Sequence, residues 1–500
     1  MEMTIPFGQL LPDQPDYKNP GVISAVNVIP RTNSFSPMRR PSVISNALSA
    51  RVHGAISVRN NDGDIYVYAG DTSKLYEMVD NSFTDESKAG GYALPVGDVW
   101  EFTPWHPNNA IIATNYNNPI QYMAIGGGAA GAFADLITST NKPKAKHMAG
   151  VGRFLVLGNT NDSTDGNRSA RVWWSAINDA QDFDPATSTQ CDFEDLSTGG
   201  SVQRIYGGAD YGLIFQTDMV RPMRYAGAGV VFEIQPLAFT PGTPLPTSVV
   251  SYKGFVFYIA EDGFMALHGT QVQHIGTGRI DKYFWEQFDI ANKRSVSSAV
   301  DPINKLVCWA FPGSDSTGGV PNRIVMCKYD EMKWSEVEID VEWILAGAAQ
   351  GYTLDSLDDV GTDIDDSAVF DAGFDSEKWK GGAARFSAFN QSHQLCTFTG
   401  PTLAATIVTG DVQPAPGRNW SINAVRPLVD GGDVSISVAS KTKLRDAVSY
   451  GSISSMDVQG ECHPPIVDAK YHRCRTSLSA STSWDHIQGL SIEYVMRGVR

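Results

Sequence analysis

The sequence predicts an all-β protein whose central part is a β-propeller. From about residue 52, short β-branched or aromatic runs alternate with Gly, Asn or Asp turns, as in "GDIYVYAGDTSKLYEMV" and "GFVFYIAEDGFMALHG", a pattern typical of antiparallel hairpins. Six such hairpins open near residues 64, 109, 153, 211, 254 and 304, at steps of roughly 43 to 58 residues. This period fits a four-stranded propeller blade, whereas the turns of a β-sandwich recur without a longer period.

The pattern divides the chain into four parts. Residues 1–51 hold many prolines and few strand-like runs, which predicts an extended N-terminal arm. Residues 52–350 are predicted to form the propeller, and residues 351–380 an acidic connector. Residues 381–500 carry shorter strands at a different spacing, which predicts a smaller C-terminal β domain.

Six blades are clear in the sequence, and a seventh is expected. The string "DVEWILAGAAQGY" at residues 340–352, together with N-terminal strands, would complete it, so we expect about six to eight blades. One short helix is predicted over residues 279–288, where Ile280, Phe284 and Phe288 share one helical face.

Composition excludes several classes of protein. Hydrophobic residues make up 42% of the chain and charged residues 19%, which indicates an ordered globular protein. The net charge of −16 argues against a protein whose main task is to bind phosphate backbones. Six cysteines in 500 residues are too few for a disulfide framework, so we expect free buried thiols and a reducing compartment. The first 20 residues lack the basic and apolar regions of a standard secretion signal.

The acidic stretch is the part of the sequence that comes nearest to a metal motif. Its oxygen-rich side chains would suit calcium. It lacks the glycine and the twelfth-position glutamate of an EF-hand, so a solvated linker, or a face that meets a basic partner, is the favoured interpretation. The calcium candidates are Asp355, Asp358, Asp359, Asp363, Asp365 and Asp366. We expect no cofactor.

Two further motifs are explained by ordinary structural roles. "GGGAAG" at residues 126–131 fits a dinucleotide-binding pattern, but no acidic residue follows at the required distance, so we expect a glycine loop between blades. Cys462, His463, His472 and Cys474 carry zinc-type ligand atoms without zinc-site spacing, and we expect structural strand residues.

Catalytic constellations are not evident. Asp162, Asp165 and Asp262 could be imagined as glycosidase carboxylates, but two of them stand in Asp-Gly pairs, which are ordinary hairpin turns. Metalloprotease, nucleophile-elbow and Walker motifs do not occur in the sequence.

Several strings resemble one family of virion proteins. They are "VWWSAINDAQDFDP", "YGLIFQTDMVRPMRY", "EDGFMALHG", "IGTGRIDKYFWEQFD", "SVSSAVDPINKLVCWAFPG", "GYTLDSLDDVGTDIDD" and "GGAARFSAF", in this order between about residues 150 and 390. This part of the chain is similar to the tail hub, nozzle or packaged-DNA stabilisation proteins of short-tailed bacteriophages. The two ends of the chain match this family less well.

The resemblance implies a structural role in the virion. It implies a β-propeller subunit of a ring, typically a homohexamer, at the distal end of the tail, which contacts the tail adaptor and portal complex and holds tail fibres or a tail needle. DNA would pass through the lumen of the ring without specific binding, and no enzymatic activity is expected. The subunit would be assembled in the bacterial host cytoplasm. Two alternatives are a tail-associated polysaccharide or peptidoglycan hydrolase and a lectin-like receptor-binding propeller.

Overall fold

The computed structural model describes residues 1–79, 81–127, 131–348 and 384–498. Residues 1–50 contain five strands: β1 (Glu2–Pro6), β2 (Val22–Val26), β3 (Val28–Pro30), β4 (Phe35–Pro37) and β5 (Ser42–Ala47).

The next 24 strands run from β6 to β29. Their bounds are β6 (Ala55–Arg59), β7 (Ile65–Gly70), β8 (Leu75–Val79), β9 (Ser82–Asp85), β10 (Glu101–Trp105), β11 (Ala110–Thr114), β12 (Gln121–Ala124), β13 (Ala134–Asp135), β14 (Lys144–Val151), β15 (Phe154–Asp162), β16 (Gly166–Trp174), β17 (Asp192–Asp195), β18 (Val202–Tyr206), β19 (Tyr211–Gln216), β20 (Val220–Gly227), β21 (Val231–Ile234), β22 (Val250–Tyr252), β23 (Phe255–Ala260), β24 (Gly263–His268), β25 (Gln271–His274), β26 (Ser297–Asp301), β27 (Leu306–Phe311), β28 (Arg323–Lys328) and β29 (Lys333–Glu338).

The remaining described strands belong to the C-terminal part of the chain. They are β30 (Trp343–Ala348), β31 (Ala384–Phe389), β32 (Gln394–Thr397), β33 (Ala405–Thr409), β34 (Trp420–Asp430), β35 (Val434–Lys441), β36 (Ser454–Ser455), β37 (Tyr471–Leu478) and β38 (His486–Met496). Helical structure in the described residues is confined to α1 (Asp281–Gln287) and 3-10 turns at His106–Asn108, Pro246–Ser248 and Ile290–Ser295.

Six blades are formed by strands that follow one another in the chain. Each group of four from β6 to β29 makes one antiparallel arrangement in which sequence neighbours are hydrogen-bonded neighbours. The predicted hairpins are the second and third strands of these blades, such as β7 with β8 and β23 with β24. Their β-branched and aromatic residues are buried on both faces, as blade-to-blade packing requires. The prediction of an all-β propeller is confirmed.

A seventh blade closes the ring with strands that are distant in sequence. β30, β31 and β32 pair in order, and the N-terminal β5 completes the sheet, with Ser42 opposite Thr397 and Ala47 opposite Gln394. The innermost strand β30 contacts both β26 of the sixth blade and β6 of the first. The propeller therefore has seven blades, and β5 joins the N-terminal segment to its last blade.

This closure corrects the predicted boundaries. Ala348 and Ala384 are partners in the β30–β31 register, so residues 349–383 lie in the connection between two adjacent strands of one blade. The acidic stretch therefore does not separate the propeller from the C-terminal domain. The predicted boundary at residue 381 falls beside strands that belong to the propeller, because backbone pairing continues to Thr397.

The C-terminal domain is a two-sheet sandwich that uses both ends of the chain. One sheet contains β2, β33, β37, β35 and β36, and the other contains β1, β38, β34, β4 and β3. β1 pairs with β38 over its whole length, from Glu2 opposite Glu493 to Pro6 opposite Gly489. The predicted N-terminal arm is thus divided between the sandwich and the seventh blade.

One hydrophobic core joins the sandwich to the propeller. It includes Trp420 of the sandwich and Trp309 and Trp334 of the sixth blade, all fully buried. Helix α1 connects the fifth and sixth blades and places Phe284 in this core, between Phe264 and Phe311. The predicted helical face is confirmed, since Ile280 and Phe288, which flank the helix, are buried in the same core.

Candidate functional site

The strongest candidate site lies where the first strands of the blades converge. These inner strands contact one another around the ring, as the contacts between β6 and β10, β10 and β14, and β14 and β18 show. Side chains of the inner strands therefore face a common space at the propeller axis.

A cavity of about 380 Å³ occupies this axis. Inner-strand residues of the first, second, fourth, fifth, sixth and seventh blades line it, among them the aromatic residues Trp100, Phe102, Tyr252 and Trp343. A smaller cavity of about 20 Å³, close to the volume of one water molecule, lies beside it. The two cavities share Glu101 as a wall residue, so they form one polar and aromatic region.

Glu101 is the centre of a buried ion-pair network. Its side chain is only 3% exposed, and Oε2 lies 2.9 Å from His147 Nδ1 and 2.8 Å from Arg204 Nη1. Oε1 accepts a hydrogen bond from the backbone N–H of Met148 at 3.0 Å. Three consecutive inner strands thereby meet at one carboxylate, since Glu101 begins β10, His147 lies on β14 and Arg204 lies on β18.

The network sets the ionisation of its members. Burial acts to raise the pKa of Glu101, but Arg204, His147 and the Met148 N–H together hold this pKa below its ordinary value. Burial lowers the pKa of His147 despite the attraction of Glu101. Glu101 is therefore a carboxylate and His147 a neutral imidazole that donates from Nδ1, while Arg204 carries the compensating charge.

A second ion cluster lies at the mouth of the smaller cavity. Arg294 Nη1 contacts Asp98 Oδ1, and Lys146 Nζ lies 3.9 Å from the same oxygen. The Lys146 ammonium also sits 4.9 Å from the centre of the Tyr116 ring. Burial and the neighbouring Arg294 lower the pKa of Lys146, although Asp98 opposes this. Two cations thus share one carboxylate.

The predicted calcium candidates cannot be compared with this site. Asp355, Asp358, Asp359, Asp363, Asp365 and Asp366 all lie outside the described residues. Within the described ranges, no group of three or more His, Cys, Asp or Glu side chains is arranged to hold a metal ion.

The carboxylates considered as glycosidase candidates lie in hairpin turns. Asp162 Oδ1 accepts the backbone N–H groups of Thr164 and Asp165, which closes the β15–β16 turn. Arg171 lies 2.7 Å from Asp165 and 3.5 Å from Asp162, so both carboxylates interact with one guanidinium. Asp262 is exposed in the β23–β24 turn.

The four Cys and His residues of the C-terminal domain make different contacts. Cys462 and Cys474 are buried in the sandwich core, where burial raises the pKa of Cys462 to about 11 and that of Cys474 to about 12. His472 is bound between Ser440 Oγ and the Trp420 carbonyl, both at 2.9 Å, whereas His463 is exposed. These contacts fit the structural interpretation.

The glycine motif lies between β12 and β13 of the second blade and not between blades as predicted, and residues 128–130 of it lie outside the described residues. Gly126 has φ of +74°, and a Cβ there would lie 2.6 Å from the Tyr66 ring, so only glycine fits. Its N–H meets the Tyr68 hydroxyl at 3.1 Å and Glu77 Oε1 at 3.0 Å, which uses a donor that a phosphate would need.

Sequence reasoning missed the axial residues. Glu101 in "WEFTPW" and His147 in "KAKHMAGV" are polar residues within strand-like runs. An interior polar residue in an inner strand is a usable signal, but the pairing of Glu101 with Arg204 joins residues about 100 positions apart, which no local pattern shows.

Comparison with known proteins gives no family. No family model matches the chain, and no curated protein matches it. Among solved structures, the chain is similar to the Cps50 (Swd1) β-propeller domain of Myceliophteria thermophila, with 8% identity and a TM-score of 0.37 over 61% of this chain and 93% of that one. It is also similar to PorZ, a surface component of the type-IX secretion system of Porphyromonas gingivalis, with 7% identity and a TM-score of 0.35 over 76% of this chain and 44% of that one.

The architecture therefore defines the class of the protein: a seven-bladed propeller fused to a sandwich. The two structural similarities are too distant to add to that assignment. In the described residues, no helix has the length and apolar character needed to span a membrane.

Proposed function

We propose that the protein is a structural subunit of a ring at the distal end of a short bacteriophage tail, where it retains packaged DNA and conducts it during ejection. The observation that carries the proposal is the ordered series of strings that resembles the tail hub and nozzle family. The strings that fall in described residues belong to blades three to seven and to α1, so the resemblance follows one continuous structural unit.

Electrostatics support a conduit that does not bind DNA tightly. The net charge of −16 repels phosphates over a Debye length of about 8 to 10 Å. A protein that held DNA by its backbone would need an excess of Lys and Arg on the contact surface. The acidic balance thus favours passage of DNA over its retention by direct contact.

The DNA path in this proposal lies between subunits. The axial cavity of the propeller measures about 380 Å³, which lies in the range of roughly 300 to 1,000 Å³ that suits small ligands. A duplex cannot pass through it. The lumen must therefore be enclosed by several copies that contact each other head to tail around a rotation axis.

The hydrolase alternative has no supporting observation at the propeller axis. A glycosidase needs one carboxylic acid with a raised pKa beside a free carboxylate. At the axis, Glu101 is ion-paired and its pKa is lowered, and Asp98 is paired with Arg294. We therefore propose a mechanical role and no catalysis.

The test is genome retention by particles that lack the protein. A phage with this gene disrupted should package DNA and then lose it, because the exit of the tail stays open, and a plasmid copy should restore retention. Nuclease-sensitive DNA and the ratio of full to empty particles measure the effect. Particles that keep and eject their genome normally would contradict the proposal, as would cleavage of capsular polysaccharide or peptidoglycan by the pure protein.

A further inference from the structure

The two ion clusters at the propeller axis carry an excess of positive charge. Their cations are Lys146, Arg204 and Arg294, and their anions are Asp98 and Glu101. His147 adds no charge at neutral pH, because burial lowers its pKa. One cation is thus left uncompensated in a protein whose net charge is −16.

Lys146 is the cation without a full partner. Its ammonium makes no hydrogen bond to another described residue, and its nearest carboxylate oxygen, on Asp98, is 3.9 Å away and already bound to Arg294. The side chain is 21% exposed, and among the described residues its ammonium has only the Tyr116 ring and this distant carboxylate as neighbours of complementary charge. A partly buried ammonium with these weak partners favours the approach of an anion.

The neighbourhood of Lys146 is open to solvent, and the smaller cavity itself holds about one water molecule. The side chains of Arg294 and Asp98 are 33% and 16% exposed, so the small cavity has a route to solvent. Glu101 and Thr247 line both cavities, so the larger axial cavity with its aromatic walls lies directly beside the smaller one. A ligand whose acidic group lies near Lys146, and whose linking atom fits the water-sized space, would place its apolar body beside Trp100 and Phe102.

We propose that the propeller axis binds a small organic anion, with its carboxylate or phosphate group between Lys146 and Arg294 and its apolar body in the 380 Å³ cavity. Two charge-assisted hydrogen bonds would hold the acidic group. The aromatic walls would bury the body and exclude long polymers, because the cavity admits only a compact molecule. This inference does not depend on the proposed role in a phage tail.

The test is calorimetric titration of the full-length protein with simple probes. Phenyl phosphate and benzoate represent the two acidic groups, inorganic phosphate lacks the body, and benzyl alcohol lacks the charge. We expect one site per chain for at least one aromatic anion, weaker binding of inorganic phosphate, and no measurable binding of benzyl alcohol. Binding should weaken as salt rises, because the contact is electrostatic.

Variants of the two cations assign the site. Lys146→Met should weaken binding about tenfold or more, the loss of one charge-assisted hydrogen bond, and Lys146→Arg should restore most of it. Arg294→Gln should weaken binding to a similar extent, and it tests the same site through a second residue. Lys293→Met is the matched control, because Lys293 is exposed and precedes Arg294 in the chain.

Three results would overturn the inference. They are no binding of either aromatic anion at millimolar concentration, equal binding by the wild type and by both Lys146→Met and Arg294→Gln, or equal affinity for inorganic phosphate and phenyl phosphate. Thermal unfolding of each variant shows that it is folded before titration. A genome-retention defect plays no part in this test, so the two proposals succeed or fail separately.

Discussion

The propeller and the sandwich are built from strands at very different distances along the chain. Six blades are made of consecutive strands that pair with their sequence neighbours. The sandwich pairs Glu2 with Glu493, and the seventh blade pairs Ser42 with Thr397. Local pairing costs little loop-closure entropy, whereas pairing across the chain can form only after the intervening parts are in place. The N-terminal segment should therefore close a structure that the blades have largely assembled.

The largest effect is expected from removal of that closing segment. Deletion of residues 1–50 removes β1 to β5, which leaves β32 and β38 each with one unpaired edge and exposes the cores of the propeller and the sandwich. The variant should be insoluble or should unfold far below the wild type in thermal circular dichroism. A soluble variant with the wild-type melting temperature would show that the closing strands are dispensable.

Replacement of residues 351–380 by a short linker is the comparison for this deletion, and it should be tolerated. Residues 351–380 connect strands whose ends are already paired at Ala348 and Ala384, so a short Gly/Ser turn can bridge them. We expect soluble protein with a melting temperature near that of the wild type. A linker variant that fails to fold, together with an N-terminal deletion variant that folds normally, would contradict this expectation.

The second largest effect concerns a buried ion pair that secures the sandwich. Asp411 contacts Lys441 Nζ and lies 2.9 Å from Arg473 Nε, and all three residues are buried. Asp411→Asn leaves Lys441 without its carboxylate and Arg473 with that of Asp16 alone, and it should lower the free energy of unfolding by about 3 to 5 kcal/mol in urea denaturation.

The control is an exposed ion pair of the first blade. Lys74 Nζ lies 2.8 Å from Asp85, and both side chains are about two-fifths exposed. Asp85→Asn should cost about 0 to 1 kcal/mol, because solvent screens the pair. Equal effects of Asp411→Asn and Asp85→Asn would contradict the importance of the buried network.

A smaller effect on the free energy of unfolding is expected from a fall in pH, which acts through His53 just before β6. Burial, with a contribution from Arg51 and against that of Asp71, lowers the pKa of His53 from 6.5 to about 4. The unfolded chain therefore binds more protons, so the free energy of unfolding falls as the pH drops from about 6.5 towards 4.

The size of that effect can be isolated by substitution. Between pH 7 and pH 5 the contribution of His53 is about 1 to 2 kcal/mol. His53→Gln should flatten the pH dependence of urea unfolding by that amount. An unchanged slope in the variant would show that His53 does not govern this part of the acid response.

The smallest effect is expected in the acidic stretch. The sequence predicts a solvated linker here, so simultaneous replacement of its six candidate aspartates by asparagine should leave the melting temperature near that of the wild type, because an exposed carboxylate contributes little to stability. The replaced residues are Asp355, Asp358, Asp359, Asp363, Asp365 and Asp366. A melting temperature that rises with added calcium in the wild type and not in the variant would favour a metal site instead.

The difference between local and long-range strand pairing explains which features the sequence could predict. Hairpins such as β23–β24 follow from alternation and turn residues that lie within about 15 positions, and α1 follows from Ile280, Phe284 and Phe288. The partner of β5 depends on a pairing more than 300 residues apart, and the role of residues 351–380 depends on a pairing across the stretch itself; neither pairing has a local signature. The acidic composition suggested a connector, but composition carries no information on which strands a segment joins.

The sequence did not predict the candidate site, for a related reason. Glu101, Lys146, Arg204 and Arg294 lie on or beside four different blades, and only the ring brings them together. Each is unremarkable in its own strand or loop. The motifs that the sequence does display, such as the turn at Asp162, are the ones whose roles are local.

The central claim, a ring subunit at the tip of a short tail, is tested most directly by electron cryomicroscopy of particles purified from a lysate that contains the protein. The account predicts a ring of copies at the distal end of the tail, each with a seven-bladed propeller whose last blade includes residues 42–47, and a lumen between copies wide enough for duplex DNA. Particles whose tail tip lacks this protein, or a ring in which the only opening is the axis of a single propeller, would contradict it.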